Sequence, residues 1–395
     1  MKRRIVVIGG VAAGPSAASK AKRVNPDADV VLYEAGDFIS YGVCEIPYYI
    51  SGEVNGAEKL VIYTPERLQK EKGVLAFTHH LVEEIRPAKK EISVRALKDR
   101  TTFTDHYDKL IIATGCCSKK IGIKGEDARN VFHIKTLTDA YALKKFIEEE
   151  RPRSAAIIGA GFIGMEMADA LSKYGIDVTV VHRSSKPMSV LEEPSQKIIL
   201  EELERNNVRF IPHATVEWFG VGAKQNVVAV GTKNETIETD LVIVAVGVEP
   251  NADLARDAGI KLGKFGGITT NDQMNVAGAE NIYAAGDCCE LKNSISKKMF
   301  YQSLATTASK TGWVAGENAA GKVAHFKGAF RALGVRIFNT EVAQVGLTMK
   351  EALELGFAPI QSTIAALSKV GMMPRSESLT ITTIADKKSG RLLGA

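Results

Sequence analysis

The sequence predicts an α/β protein with two doubly wound parallel sheets, followed by a smaller C-terminal α+β module. A strand, a glycine-rich turn, a helix and a second strand occur in that order twice along the chain. The chain has 395 residues, more than one hydrophobic core usually serves, and 45% of them are hydrophobic. From about Gly321 onward, short apolar runs replace this alternation, which indicates a different module.

The first strand–helix–strand unit begins the chain. The β-branched run Arg4 to Ile8 predicts a buried strand that ends at two glycines. The helical stretch Gly14 to Val24 follows and ends at Asn25-Pro26, a pair that terminates helices. Val30 to Tyr33 predicts the second strand, which Glu34 closes, so the segment forms a βαβ unit.

A second unit repeats this order later in the chain. Its strand, helix and strand are predicted at Ala155 to Ile158, Gly164 to Lys173, and Val178 to Val181. Three more strand-like runs precede glycine turns: Leu110 to Ala113, Leu241 to Val246, and Asn281 to Ala285. The C-terminal module is expected to contain strands at Val335 to Phe338, Ala343 to Leu347, and Leu379 to Ile384.

Charge and hydropathy argue against nucleic-acid and membrane partners. The net charge of +5 is spread along the chain and suits anionic ligands such as phosphates. No basic stripe with interleaved aromatic residues is present, as nucleic-acid binding would favour. The longest apolar runs are strand-length, too short to span a bilayer.

The cysteine pattern indicates a reducing compartment. The five cysteines form two adjacent pairs and one singleton, unlike a secreted disulfide framework. No His/Cys cluster has zinc-ligand spacing, so no metal site is expected. The sequence therefore favours a cytoplasmic protein without a bound metal.

The second glycine turn is a complete GxGxxG between a strand and a helix. Its first glycine permits the tight turn, its second lets a pyrophosphate approach, and its third lets the helix pack on the strand. The helix N-terminus adds amide donors. The turn is therefore predicted to bind a dinucleotide through Gly159, Gly161, Phe162, Ile163 and Gly164.

The first glycine turn is a degenerate version of the same motif. Val11 stands where the second glycine is expected. Glu34, however, lies about twenty residues after Gly14, where an acidic side chain accepts the two ribose hydroxyls of a dinucleotide. This suits the AMP half of FAD, and the predicted contacts of the loop are Gly9, Gly10, Ala12, Ala13, Gly14 and Glu34.

The matching strand end in the second unit is basic. It reads Val181-His182-Arg183 and contains no acid, so His182 and Arg183 are predicted to contact the nucleotide. An arginine there can pair with a 2′-phosphate, which favours NADPH, although NADH remains possible.

Three motifs together resemble the pyridine nucleotide-disulfide oxidoreductases. They are Ile111 to Gly115, the GxGxxG at Gly159, and Asn281 to Asp287, in the order that this family has. The resemblance covers essentially the whole chain. It implies that the Asp287 carboxylate binds the ribityl chain of FAD, and that further cofactor contacts are Thr114, Gly115, Gly247, Gly286 and Ala305.

The resemblance also implies the domain order. It predicts two Rossmann-like dinucleotide-binding domains and a C-terminal α+β dimerisation domain that looks shortened at Ala395. An FAD-binding domain would comprise residues 1–115 and 248–320, an NAD(P)-binding domain residues 116–247, and the dimerisation domain residues 321–395. A homodimer is expected, because in this family the partner's C-terminal domain completes the active site.

The segment around Cys44 resembles the single-cysteine branch of the family. Members that use a disulfide have a second cysteine five positions on, where this chain has Tyr49. The branch includes coenzyme A disulfide reductases, persulfide reductases, NADH oxidases and NADH peroxidases. A Cys44 thiolate would attack a disulfide or persulfide sulfur, and a helix is expected to begin at Cys44 and lower its pKa. Glu45 is a candidate proton donor.

Within the branch, the first loop favours a coenzyme A disulfide or persulfide as the substrate. Oxidases and peroxidases have a histidine at the position of Ala12. In the coenzyme A disulfide reductases, basic residues of the first helix bind the nucleotide phosphates. The corresponding substrate-binding residues would be Lys20, Arg23, Ser40 and Tyr63.

Other readings of the sequence stay open. Met372 and Met373 stand where coenzyme A disulfide reductases have two tyrosines, one of which assists protonation. The alternatives are an NAD(P)H oxidase or electron-transfer reductase that does not use Cys44, and a flavin-bound redox sensor.

Overall fold

The computed structural model describes residues 2–395 of the chain. In this range the helices are α1 (Ala13–Val24), α2 (Ile46–Ile50), α3 (Pro65–Lys72), α4 (Leu137–Glu150), α5 (Phe162–Ser172), α6 (Glu193–Arg205), α7 (Asp253–Asp257), α8 (Ala305–Ala320) and α9 (Met349–Glu354). Short 3₁₀ turns lie at Ala57–Leu60 and Pro87–Lys89.

The strands of the first third of the described chain are β1 (Arg4–Ile8), β2 (Asp29–Tyr33), β3 (Leu75–Phe77), β4 (His80–Arg86), β5 (Glu91–Ala96), β6 (Thr101–His106), β7 (Lys109–Ile112), β8 (Cys116–Ser118) and β9 (Val131–Phe132). Those of the middle are β10 (Ser154–Ile158), β11 (Asp177–Val181), β12 (Arg209–Ile211), β13 (Val216–Val221), β14 (Val227–Thr232), β15 (Thr236–Glu238), β16 (Leu241–Val244) and β17 (Val248–Pro250). The last are β18 (Ile282–Ala284), β19 (Leu291–Lys292), β20 (Met299–Phe300), β21 (Ala332–Ile337), β22 (Thr340–Val345), β23 (Pro359–Leu367), β24 (Ser378–Asp386) and β25 (Leu392–Gly394).

The chain divides into two units, each made of three segments. Unit 1 consists of Met1–Lys119, Lys135–Ala142 and Val248–Ala329. Unit 2 consists of Lys120–Ile134, Leu143–Gly247 and Phe330–Ala395. The three-domain division with boundaries after residues 115, 247 and 320 stays a prediction.

Unit 1 is built on a five-stranded parallel sheet in the order β18-β7-β1-β2-β3. Its central strand is fully buried at Ile5, Val6 and Val7, as the apolar run predicts for a sheet covered on both faces. The helix α1 lies against α8, where Gly316 approaches the carbonyl oxygen of Ala17 so closely that a Cβ would overlap it. The antiparallel sheet β4-β5-β6 and the pairs β8–β17 and β19–β20 complete the unit.

Unit 2 has a second parallel sheet with a matching arrangement, β12-β11-β10-β16-β9. An antiparallel sheet, β13-β14-β15, follows α6 and β12 along the chain. The two predicted βαβ units are therefore confirmed, although α1 begins one residue earlier than expected and α5 begins at Phe162 rather than at Gly164.

The C-terminal segment of unit 2 forms the hairpin β21–β22, the helix α9 and the sheet β23-β24-β25. The hairpin turn is held by acids of α5 and α6: Asp169 accepts a hydrogen bond from the N–H of Phe338 (3.1 Å), and Glu202 accepts one from Asn339 (3.0 Å). The three predicted C-terminal strands are present with shifted ends, and the first two begin three residues earlier than predicted. Every residue of β23 from Ile360 to Leu367 is exposed.

Candidate functional site

The two glycine turns have the same backbone geometry. The N–H of Gly9 donates to the carbonyl oxygen of Tyr33 (2.8 Å), and the N–H of Gly159 donates to that of Val181 (2.9 Å). Gly9 and Gly159 have φ angles of +104° and +106°, a region that favours glycine. A Cβ at either position would overlap a carbonyl oxygen just past the end of the adjacent strand. The first glycine of each turn is therefore required by the fold.

The remaining glycines of the second turn have different neighbours. A Cβ on Gly164 would overlap the carbonyl oxygen of Gly159, so the third glycine lets α5 approach the turn. Gly161 is exposed and has open space where a Cβ would stand. A phosphate could approach this backbone at the start of α5, next to Phe162 and Ile163. The turn thus fits the pyrophosphate of a dinucleotide.

In the first turn, Glu34 lies at the end of β2, as the sequence predicts. Its carboxylate accepts hydrogen bonds of 2.6 Å from the N–H groups of Gly10 and Gly36. Burial raises the pKa of Glu34 above its usual range, and the two backbone hydrogen bonds oppose that rise. The carboxylate is held beside the turn by backbone donors, in the position where a ribose would be recognised.

His182 occupies the corresponding position in the second turn. Its Nδ1 accepts a hydrogen bond from the N–H of Ala160 (3.2 Å), as Glu34 accepts one from Gly10. Nδ1 is therefore unprotonated, and the proton of the neutral ring lies on Nε2, which is buried without a protein partner in the described chain. Burial, and then the charge of Arg183, lower the pKa of His182. The exposed Arg183 follows directly.

Asp287 lies in a polar cluster within unit 1. Its Oδ2 accepts a hydrogen bond from the Ser303 hydroxyl, lies 3.4 Å from Cys116 Sγ, and lies 3.6 Å from Lys135 Nζ. The pKa of Cys116 is raised by burial, a rise that the charge of Lys135 opposes. The sequence analysis missed Cys116, Lys135 and Ser303, because no short motif links residues so far apart in the chain.

The other FAD-related positions of unit 1 surround the first turn. A Cβ on Gly286, whose φ is +82°, would meet the side chain of Ala13. The hydroxyl of Thr114 donates to the carbonyl oxygen of Asn251 (2.6 Å), and the N–H of Asn251 donates to Gly115 (2.9 Å). Sequence-distant segments of unit 1 are thus joined at the predicted flavin site.

Three further predicted positions lie at element ends. Ala12 directly precedes α1, and Ala305 is the exposed first residue of α8. In unit 2, Gly247 has a φ of +114° and open space where a Cβ would stand.

Cys44 is exposed and lies two residues before α2. The expected helix start at Cys44 is wrong, because α2 begins at Ile46. Pro47 has no N–H and is accommodated only in the first turn of a helix, which fixes the start there. A helix of five residues has little dipole, so the expected lowering of the thiol pKa by a helix loses its basis. The Glu45 carboxylate folds back over Gly42.

Tyr49 stands at the position where a second cysteine would be, and it packs against other aromatic rings. Tyr49 is buried, and its ring lies 5.6 Å from that of Tyr141, edge to face. Tyr141 also stacks on Phe38 at 6.0 Å. The residue five positions after Cys44 is therefore a packed tyrosine and not a second cysteine, as the sequence indicates.

Two of the predicted substrate-binding residues are brought together by the backbone. The carbonyl oxygen of the buried Ser40 accepts hydrogen bonds from the N–H groups of Ile62 (2.7 Å) and Tyr63 (3.4 Å). The Tyr63 ring has Arg67 at 5.1 Å and Lys72 at 5.4 Å from its centroid. Arg67 also forms an ion pair with Glu71 at 2.7 Å, so part of the positive charge beside the ring is already neutralised.

The other two predicted substrate-binding residues lie on α1. Arg23 is exposed. Lys20 forms an ion pair with Glu317 of α8, at 2.7 Å. The two cations thus differ in how accessible they are to an incoming anion.

Glu166 is a titratable residue that the sequence analysis missed. It lies on α5, two residues after Gly164, and burial together with the charge of Asp169 raises its pKa to about 7. No sequence motif distinguishes Glu166 from the other glutamates of the chain, and only its burial in the folded structure does so.

Within residues 2–395 the structure has neither a candidate metal site nor a candidate membrane-spanning helix. No group of three or more His, Cys, Asp or Glu side chains there could hold a metal ion. None of the helices in that range has the length and apolar character needed to cross a bilayer.

Comparison with known proteins assigns the fold and chemistry to one family. Residues 3–312 match the family model described as pyridine nucleotide-disulphide oxidoreductase. The CoA-dependent NAD(P)H sulfur oxidoreductase of Pyrococcus abyssi is 34% identical over 394 residues, which are 100% of this chain and 86% of that protein.

Two solved structures are also similar. Reduced CoADR-RHD of Bacillus anthracis superposes with a TM-score of 0.95 at 30% identity, over 100% of this chain and 70% of that one. An engineered water-forming NADPH oxidase with bound NADPH, a mutant of LbNOX, has a TM-score of 0.92 at 29% identity, over 99% of this chain and 86% of that one. Its substitutions include an aspartate changed to alanine and the next residue, an alanine, changed to arginine.

Proposed function

The chain belongs to the pyridine nucleotide-disulphide oxidoreductase family, and on that premise we propose that it is an FAD-dependent NAD(P)H oxidoreductase that reduces a low-molecular-weight disulfide, persulfide or polysulfide through Cys44. Coenzyme A is the favoured thiol carrier. The observation that carries the proposal is the exposed Cys44 thiol ahead of α2, with Tyr49 at the position of a second cysteine.

Residues of each unit fit one cofactor. The first glycine turn, Glu34 and the cluster of Asp287 and Lys135 would hold FAD, and the second turn with His182 and Arg183 would hold the nicotinamide nucleotide. Bound FAD supplies two-electron transfer between the nicotinamide and the sulfur substrate.

NADPH is the favoured donor. The strand end of unit 2 has a neutral side chain, His182, followed by Arg183, and offers no carboxylate to repel a 2′-phosphate. The engineered NADPH oxidase likewise exchanges an aspartate for a neutral residue and gains an arginine directly after it.

Cys44 would act as the nucleophile. Its thiolate attacks one sulfur of R–S–S–R, forms the mixed disulfide Cys44–S–S–R, and releases one RS⁻. Two electrons and one proton then convert the mixed disulfide into the Cys44 thiolate and RSH, which restores the protein. Glu45 lies next to Cys44 and is the proposed source of that proton.

Coenzyme A would be bound by Lys20, Arg23, Ser40 and Tyr63. The aromatic ring and cations of the Tyr63 surface favour an adenine nucleotide. The CoA-dependent activity named for the Pyrococcus abyssi relative is consistent with this carrier.

We further infer a cytoplasmic homodimer. All five cysteines of the chain are thiols rather than disulfides, which fits a reducing compartment. Exposed apolar side chains on one face of β23, at Ile360 and Ile364, offer a surface for a second copy.

An anaerobic titration tests the proposal. The purified protein is reduced with NADPH, coenzyme A disulfide or coenzyme A persulfide is added, and flavin absorbance is followed. We expect reoxidation by the sulfur compound, and its loss in Cys44→Ser, because the mixed disulfide cannot form.

An oxidase is the second candidate, favoured by the similarity to the engineered NADPH oxidase. In that case oxygen reoxidises the reduced protein equally fast in Cys44→Ser, and the sulfur compounds do not. That result would reject the reductase proposal.

A further inference from the structure

Glu317 neutralises a cation on which the proposed binding of coenzyme A depends. Lys20 Nζ lies 2.7 Å from Glu317 Oε1, and the Glu317 side chain is only 15% exposed. The hydrogen bond from Lys20 is the main reason that the pKa of Glu317 is held below its usual range. Arg23, one turn further along α1, forms no ion pair with any residue that the structure describes. An incoming phosphate would meet one available guanidinium and one ammonium already paired.

The packing of two helices keeps the pair together. Gly316 of α8 lies against the carbonyl oxygen of Ala17 on α1, and a Cβ there would overlap it. Glu317 directly follows Gly316, and Lys20 lies one turn after Ala17. The close helix contact therefore sets the carboxylate beside the ammonium, and only rotation of the side chains can separate them.

A second cation, Lys322, lies close to the same Glu317 carboxylate. Lys322 Nζ lies 3.7 Å from the same Glu317 Oε1, and the Lys322 side chain is 64% exposed. If an anion takes Lys20, Glu317 keeps Lys322 as a partner and is not left as an uncompensated, largely buried charge. The three side chains can thus exist in two paired arrangements.

We propose that the Glu317 carboxylate competes with the anionic substrate for Lys20. When a phosphate of the substrate binds Lys20, Glu317 pairs with Lys322 instead. The inference rests on the proposed function, in which Lys20 binds a phosphate of coenzyme A. A phosphate dianion makes stronger charge-assisted hydrogen bonds than a carboxylate does, so it can win this exchange. A thiol compound without phosphate has nothing to exchange for Glu317.

Isothermal titration of the FAD-bound protein tests the competition. Coenzyme A and pantetheine, which lacks phosphate, are titrated into wild type and Glu317→Gln at low salt. We expect the substitution to tighten coenzyme A binding about tenfold, equivalent to about 1.4 kcal/mol, and to leave pantetheine binding unchanged. The gain should shrink as salt rises, because the competing pair is partly exposed. Glu84→Gln, which removes one charge from an exposed pair with Arg86 in the same unit, should change neither affinity.

A double-mutant cycle separates competition at Lys20 from general repulsion of the anion. In a Lys20→Gln background, Glu317→Gln should have no effect on coenzyme A affinity, since there is no ammonium left to release. If the gain persists in that background, or if pantetheine binding changes equally, the exchange mechanism is rejected. Equal coenzyme A affinity in wild type and Glu317→Gln rejects this inference alone. Failure of both proteins to bind coenzyme A also rejects the choice of carrier.

Discussion

At the scale of single residues, the informative contrast is between Glu34 and His182. Both side chains close the second strand of a βαβ unit, and both accept a hydrogen bond from the residue after the first glycine. One presents a carboxylate and the other a neutral imidazole with its proton on Nε2. The same backbone arrangement is therefore expected to distinguish a ribose diol from a 2′-phosphate through one side chain.

Exchanging His182 for glutamate should reverse the preference between nicotinamide nucleotides. The carboxylate can accept the Ala160 N–H as Glu34 accepts that of Gly10, and it would repel a 2′-phosphate. We expect kcat/KM for NADPH to fall by about tenfold or more, while that for NADH is retained or rises. His106→Glu, an exposed histidine of unit 1, is the control. An unchanged NADPH/NADH ratio in His182→Glu would contradict the assignment.

Glu166 predicts a pH-dependent contribution to stability. Its folded-state pKa is about 7, against an ordinary value of 4.5. Between these two pH values the unfolded chain has released the proton that the folded protein keeps, so stability is lost as pH rises through this window. The loss amounts to about 3 kcal/mol above pH 7.

Glu166→Gln should therefore stabilise the protein at pH 8 and have little effect at pH 4.5. Urea unfolding at the two pH values measures the difference. Glu217→Gln, an exposed glutamate of the same unit, should be neutral at both. An equal effect of Glu166→Gln at both pH values would show that the carboxyl is not held protonated.

At the scale of elements, two glycines of the second turn are expected to have different roles: Gly164 in folding and Gly161 in nucleotide binding. A Cβ on Gly164 would overlap the Gly159 carbonyl oxygen, whereas Gly161 has open space around it. Gly164→Ala should destabilise the protein by about 1–3 kcal/mol, because α5 must move away from the turn. Gly161→Ala should leave the melting temperature unchanged and raise KM for the nicotinamide nucleotide. Melting curves and steady-state kinetics on both variants check this, and a reversed pattern would contradict it.

The elements that local sequence determines were predicted well. Both βαβ units follow from apolar runs and glycines that lie within thirty or so residues of each other, as the motif requires. The start of α2 was misplaced by two residues, because Pro47 must lie in the first turn of the helix and the helix therefore begins at Ile46. The cluster of Cys116, Lys135 and Ser303 around Asp287 was missed, since Cys116 and Asp287 are 171 positions apart and only the tertiary fold joins them.

At the scale of the whole molecule, the C-terminal sheet bears on assembly. Ile360 and Ile364 lie on one face of β23 and are 49% and 56% exposed. Ile364 is paired with Ile381 of β24, which is 37% exposed. Apolar side chains in such a row favour contact with another chain.

Ile364→Lys should convert the proposed dimer into a monomer, because a charge in the buried centre of an interface would lack a partner. Light scattering coupled to gel filtration reports the mass. Gln361→Lys, at an exposed position on the other face of β23, should leave the mass unchanged. A monomeric wild type, or a dimer that tolerates Ile364→Lys, would place the interface elsewhere or remove it.

During translation, the sheet of unit 1 is completed only when its last strand, β18, has been synthesised. β18 pairs with β7, and all five strands of the unit 2 sheet are synthesised between them. A nascent chain that has passed Val244 can therefore close the second sheet while the first still lacks its edge strand and Asp287. The order of translation thus allows the second sheet to form before the first is complete, and the proposed flavin site, which includes Asp287, would be the later of the two to be finished.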